Sequence, residues 1–130
     1  MLNSRSKKLV VMADDDVEIR MILNRTVRAL DCDVMQAEDG EQALELIIEN
    51  QPDLVILDVM MPNISGWEVC KYIRSNPRLE KTPVVMLTAI GKTVNEMTSP
   101  LYGADVYLDK PFDIDEVEGV VSRLLKLDQS

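Results

Sequence analysis

The sequence of 130 residues predicts an α/β fold, a doubly wound parallel sheet of five strands with helices on both faces. Two observations lead to it. Several short apolar runs are nearly continuous rather than alternating, as expected of parallel strands buried on both faces. Between them lie stretches with helical periodicity, and alternation of β and α implies a doubly wound sheet.

Leu9 to Ala13 is the first strand, and Ile19, Ile22, Leu23, Thr26 and Leu30 form one apolar stripe on the helix that follows. Cys32 to Ala37 makes a weaker second strand, after which Asp39 and Gln42 have the spacing of a capping box and start a second helix. The third strand is Leu54 to Leu57, and Ser65 with Glu68 opens the next helix. After the fourth strand, Val84 to Leu87, Thr93 and Glu96 mark a fourth helical segment. Pro100 would clash with the carbonyl of Glu96, so this segment should kink or stop before Gly103. Val106 to Leu108 is the fifth strand. Asp113 and Glu116 then start a last helix with a Val117, Val121, Leu124 and Leu125 stripe, and Phe112 is placed to staple against Val117. One domain over residues 8–127 is expected, with short tails at 1–7 and 128–130.

Composition narrows the function. A formal net charge of −9 disfavours direct nucleic-acid contact, which rewards clustered Lys and Arg. The longest apolar runs are too short to span a bilayer, so no membrane partner and a cytoplasmic location are expected. Cys32 and Cys70 have no CxxC spacing and read as reduced core residues. The chain has no histidine, which removes the usual zinc sets, and any phosphohistidine donor must belong to a partner.

In open α/β sheets ligands gather at the carboxyl ends of the strands. The residues just past those ends are Asp14, Asp15 and Asp16, then Asp58, then Thr88, then Lys110. If the first and third strands are neighbours, each pair among Asp14, Asp15 and Asp58 repels by about 4 kcal/mol at about 4 Å and an effective dielectric of about 20. A cation is needed there. Oxygen ligands without His or Cys favour Mg2+ or Mn2+ over zinc. Asp58 could then act as a carboxylate nucleophile toward phosphorus, with the metal and Lys110 neutralising the phosphoryl oxygens.

Taken singly, each residue has a plainer reading. Asp14 to Asp16 could be a solvated helix start, Asp58 the end of a strand, Thr88 a buried hydroxyl, Tyr107 a core aromatic and Lys110 a surface lysine. All of them meeting at one sheet rim by accident is a poor account. A phosphatase of the haloacid-dehalogenase type would need a second Asp where Met60 stands. A flavin binder would want a Ser/Thr/Gly loop where three acids stand.

These residues also carry a family resemblance. Asp14-Asp15-Asp16, the block DLVILDVMMPNISGWEV from Asp53 to Val69, PVVMLTA from Pro83 to Ala89 and GADVYLDKPF from Gly103 to Phe112 together resemble response-regulator receiver domains. The resemblance implies a flavodoxin-like fold with strand order 2-1-3-4-5 and a cis Lys110–Pro111 bond. It makes Asp58 the phospho-acceptor, Asp15 a direct Mg2+ ligand, Asp14 a supporting one and the Met60 carbonyl the remaining protein ligand. Thr88 would bond the phosphoryl group, Lys110 would pair with it, and Tyr107 would turn inward when Thr88 moves.

The donor would be a histidine kinase or a histidine phosphotransfer protein. No enzymatic action on an external substrate is expected. The alternative is a receiver-fold interaction scaffold that is never phosphorylated, although such a chain would be expected to have lost one of these residues. Met60 and Ile90 stand where family members flank the path of attacking water, and their apolar side chains would slow loss of the phosphoryl group. Trp67, the only tryptophan, should be partly buried beside the site. Val106 and Val120 replace an Asp and an Arg that pair across a dimer in many DNA-binding members. That leaves the face of the fourth helical segment, the fifth strand and the last helix apolar and suited to a downstream protein partner.

Overall fold

A computed structural model of the chain describes residues 7–89 and 103–127. The described elements run β1 Leu9–Ala13, α1 Val17–Arg28, β2 Asp33–Ala37, α2 Gly40–Asn50, β3 Leu54–Asp58, α3 Gly66–Ser75, β4 Val84–Thr88, β5 Val106–Asp109 and α4 Ile114–Leu125. All strand pairs are parallel, and the order is β2-β1-β3-β4-β5, as the resemblance implied. The Thr93–Glu96 cap, the Pro100 kink and Ile90 lie outside the described residues.

The unbroken apolar runs have a simple cause, since successive side chains leave opposite faces of a strand and both faces here are covered. Val10, Met12, Leu54, Ile56, Val85 and Leu87 face one layer, packed with Leu23 and Val27 of α1 and with Val117, Val121 and Leu125 of α4. Val11, Ala13, Val55, Leu57, Val84 and Met86 face the other, against Ala43 and Ile47 of α2 and Val69, Cys70 and Ile73 of α3. Phe112 packs in the same layer as Val117, in keeping with the expected staple, and both cysteines are free and buried.

One expectation needs correction. On α1 the buried residues are Leu23, Thr26 and Val27, whereas Ile22 is 36% exposed. One residue turns a helix by about 100°, so Ile22 lies beyond the edge of the arc that Leu23 and Val27 define. Each described capping pair does mark a helix start, with different side-chain contacts. Ser65 and Glu68 form the reciprocal box. Asp39 caps α2 by accepting from the Gln42 amide, while the Gln42 side chain reaches back past the cap to the amide of Glu38, and Asp113 caps α4 by accepting from the Asp115 amide.

At the opposite edge of the sheet, acids cap strand amides. Asp53 accepts from the Leu9 amide at 2.8 Å, and Asp105 from the Val84 amide at 2.8 Å. Among the described residues no helix is long and apolar enough to cross a membrane.

Candidate functional site

Where β1 ends, the Asp14 amide still donates to the Ala37 carbonyl, which extends the β2 side of the ladder and draws this acid into the protein. Asp14 is fully buried, and its Oδ1 accepts from the Asp16 amide at 2.9 Å. Asp16 turns away to cap α1, accepting from the amides of Glu18 and Ile19, and Asp15 is exposed at the rim. Asp58, the last residue of the central strand β3, is 5% exposed, with its Oδ1 accepting from the Met60 amide at 3.3 Å. One carboxylate oxygen from each of Asp14, Asp15 and Asp58 lies within 4.8 Å of the others, so the three could hold a metal ion.

Lys110 arrives from the far side. Its amide donates to the Thr88 carbonyl at 2.7 Å, continuing the β4–β5 ladder, and a cis bond to Pro111 follows. Its Nζ reaches Asp14 Oδ2 at 2.8 Å and Asp58 Oδ2 at 3.4 Å. Thr88, 1% exposed, ends β4 one residue past Leu87, the partner of Asp58 in register. Four loops thus bring three acids, a hydroxyl and an ammonium to one rim.

The charges are out of balance, since three carboxylates gather here and the one lysine among them pairs with Asp14 and Asp58 only. Burial, and next the Asp14 charge, push the Asp58 carboxyl up to about 6, against a smaller downward pull from Lys110. Burial disfavours the Lys110 ammonium, but its bond to Asp14 and both carboxylate charges more than offset this and raise its pKa. The oxygen-only donor set suits a hard divalent cation.

The loop after Asp58 is held by close backbone approach. A side chain at Gly66 would overlap the Asp58 carbonyl, and one at Gly40 would overlap the Ile64 carbonyl. Between them Asn63 adopts φ 70° and donates from Nδ2 to Asp39 Oδ2 at 3.2 Å. The Met60 side chain is 66% exposed on this loop.

Tyr107 packs into the layer of α2 and α3, with its hydroxyl shielded from solvent, and its ring lies 6.0 Å from that of Trp67. Val106 and Val120 are half-buried against the other layer, so Val120 extends the core stripe of its helix. Sequence reasoning missed Arg20, whose Nη1 donates to the Asp14 carbonyl at 2.7 Å and fixes the β1–α1 loop from the helix side. Its signal was a cation one turn into the helix that begins beside the acids.

A parallel sheet with its central-strand acid beside two others and a lysine defines a protein built to hold charge at a switch point. The family model described as the response regulator receiver domain matches residues 10–122, and the chain belongs to this family, which acts in two-component signal transduction. It is 38% identical over 117 residues to the DNA-binding dual master transcriptional regulator RpaA of Synechocystis, covering 90% of this chain and 48% of that protein. It is 33% identical over 112 residues to Protein PilG of Pseudomonas aeruginosa, covering 86% of this chain and 83% of that one. The receiver domain of the Francisella response regulator 1452 superposes with a TM-score of 0.84 at 36% identity, covering 92% of this chain and 97% of that one. The chain spans about half the length of the first curated relatives it matches.

Proposed function

We propose that this receiver domain takes a phosphoryl group onto Asp58 and uses it to shift an output face. The observation that carries this reading is the Lys110 ammonium shared between Asp14 and Asp58 beside the exposed Asp15. An Asp58 oxygen attacks phosphorus, the bond from phosphorus to a partner's phosphohistidine nitrogen or to an acyl-phosphate oxygen breaks, and the leaving group keeps that electron pair. Asp14, Asp15, Asp58 and the Met60 carbonyl would hold Mg2+, or Mn2+. Bound there, the ion supplies positive charge to the acids and to the incoming phosphoryl oxygens. Lys110 moves from the carboxylates to a phosphoryl oxygen, and Thr88 donates its hydroxyl to another. Tyr107 follows Thr88, which shifts the population of the face formed by β5, α4 and the segment before β5.

The donor is a histidine kinase or histidine phosphotransfer protein. With a net charge of −9 this domain is a poor ligand for DNA, so any DNA contact of a longer protein would fall to another domain. The scaffold reading has no observation in its favour, because the acids, Thr88 and Lys110 are all present at the rim. Incubation with acetyl phosphate and Mg2+, followed by intact mass, should add one phosphoryl group to the wild type and none to Asp58→Asn. Equal labelling of both would overturn the assignment.

Met60 bears on lifetime. Its exposed thioether chain, two residues past Asp58, stands to shield the acyl phosphate from water. Met60→Lys should shorten the half-life of the phosphorylated form several-fold, measured by loss of the added mass after the donor is removed. An unchanged half-life would remove Met60 from this role.

A further inference from the structure

Helix α3 grips the chain around β5 at two places of very different stiffness. At its C-terminal end the Arg74 guanidinium donates to the carbonyls of Gly103 at 2.8 Å, Glu80 at 3.0 Å and Thr82 at 2.7 Å, and pairs with Asp105 Oδ2 at 2.7 Å. The same Asp105 oxygen accepts the Val84 amide, which ties the clamp to β4 as well. Gly103 takes φ 74°, and a side chain there would stand 3.0 Å from Arg74 Cγ, so the chain enters β5 pressed against the arginine stem. Such a charge-assisted, multiply bonded node cannot slide without losing several bonds at once.

Two helical turns earlier, and so on the same side of α3, Trp67 meets Tyr107. Asp105, at the bend just before β5, and Tyr107, within β5, both meet α3, the first through Arg74 and the second through Trp67. Here the contact is between two tilted rings with centroids 6.0 Å apart and planes at 48°. Ring contacts of this kind are weak and free of strict geometry, and a Tyr ring can leave one by turning about its side-chain torsion. A fixed point beside a soft contact on one helix is the construction of a lever.

We propose that Trp67 is a positioning residue that sets how far the Tyr107 ring rests inward, with the Arg74–Asp105 clamp keeping β5 at a constant distance from α3. This inference rests on reading Tyr107 as the switch residue. It adds an element that the acids and Thr88 do not supply, a bias on the switch that comes from α3 and exists before any phosphoryl group arrives. Removing the indole shifts the ratio of inward to outward ring roughly five-fold toward outward, the size expected for one aromatic pair.

The test uses fluorotyrosine-labelled protein and 19F NMR. The chain has three tyrosines, Tyr72, Tyr102 and Tyr107, and the Tyr107 signal is assigned with Tyr107→Phe. In unphosphorylated protein, Trp67→Leu should move that signal toward the solvent-exposed position and increase its solvent-isotope shift, while Trp67→Phe should restore most of the wild-type position. A Tyr107 signal that is the same in Trp67→Leu as in wild type, or displaced equally in Trp67→Phe, would overturn the proposal. If Trp67→Leu does not fold, Trp67→Met serves in its place, with the same displacement of the Tyr107 signal expected and an unmoved signal overturning the proposal. Intact mass after acetyl phosphate and Mg2+ is read in parallel and should match the wild type in both variants. No mass gain in any protein would refute phosphorylation of Asp58 without touching the ring comparison, which is made without a donor.

Discussion

Lys110→Met should lower the rate of phosphoryl uptake at Asp58 by about 100-fold or more, the usual effect of removing one preorganised donor from developing negative charge. The same substitution should destabilise the metal-free fold by about 3 kcal/mol, because Asp14 is fully buried and would lose its only ion-pair partner among the described residues. For a domain of this size that is a fall in melting temperature of roughly 10 °C. Mg2+ should then recover more of the melting temperature in the variant than it adds to the wild type, since the ammonium no longer competes for the Asp14 and Asp58 oxygens. Thermal melts with and without Mg2+, together with a time course of intact mass, check all three effects. A variant that melts like the wild type and labels at the same rate would show that Lys110 is merely near the acids.

The second large effect is a pH dependence that Mg2+ reverses. In the metal-free protein Asp58 titrates at about 6, above its ordinary 3.8, chiefly because it is buried and next because Asp14 is close. A carboxyl whose pKa is raised by folding binds more protons in the folded chain than in the unfolded one. Its contribution to stability is therefore full below about pH 3.8 and is lost as pH rises through about 6. Above that, the acids at the rim carry their full mutual repulsion, and a divalent cation has most to relieve.

The gain in melting temperature on adding Mg2+ should accordingly be small at pH 5 and largest near pH 8. At a concentration about 100 times the dissociation constant the underlying stabilisation is about 2.7 kcal/mol. Asp15→Asn should remove most of it. A Mg2+ effect that is flat between pH 5 and pH 8 would place the cation somewhere other than against Asp58.

Much of the fold was legible because each strand is buried on both faces. The runs Leu9–Ala13, Leu54–Asp58 and Val84–Thr88 are apolar up to the residue where the sheet ends, so their limits could be read to within one position. The edge strand was harder. In β2 only one side is paired, just Val34 and Ala37 are buried, and pairing begins at Asp33 opposite Leu9, leaving Cys32 outside. The rim position of Asp14, Asp58, Thr88 and Lys110 was legible for a related reason, since each follows a run that parallel pairing aligns with its neighbours.

Other features depend on contacts between segments far apart in the chain, and no local pattern signals them. Arg74 looks like any basic residue in the last turn of a helix until Gly103 and Asp105 are folded onto it. The need for glycine at positions 40 and 66 becomes visible only when the Ile64 and Asp58 carbonyls are in place against them. Ile22 failed for a simpler reason, an apolar side chain at the margin of a helical arc that the neighbouring α4 does not cover.

The measurement that bears most directly on the site is chemical localisation of the phosphoryl group. After labelling with acetyl phosphate and Mg2+, borohydride reduction converts an aspartyl phosphate to homoserine, and peptide mass spectrometry reads its position. Homoserine at position 58 alone, dependent on the divalent cation, is the predicted result. Homoserine at position 14 or 15, or none anywhere in a protein that binds Mg2+, would contradict it.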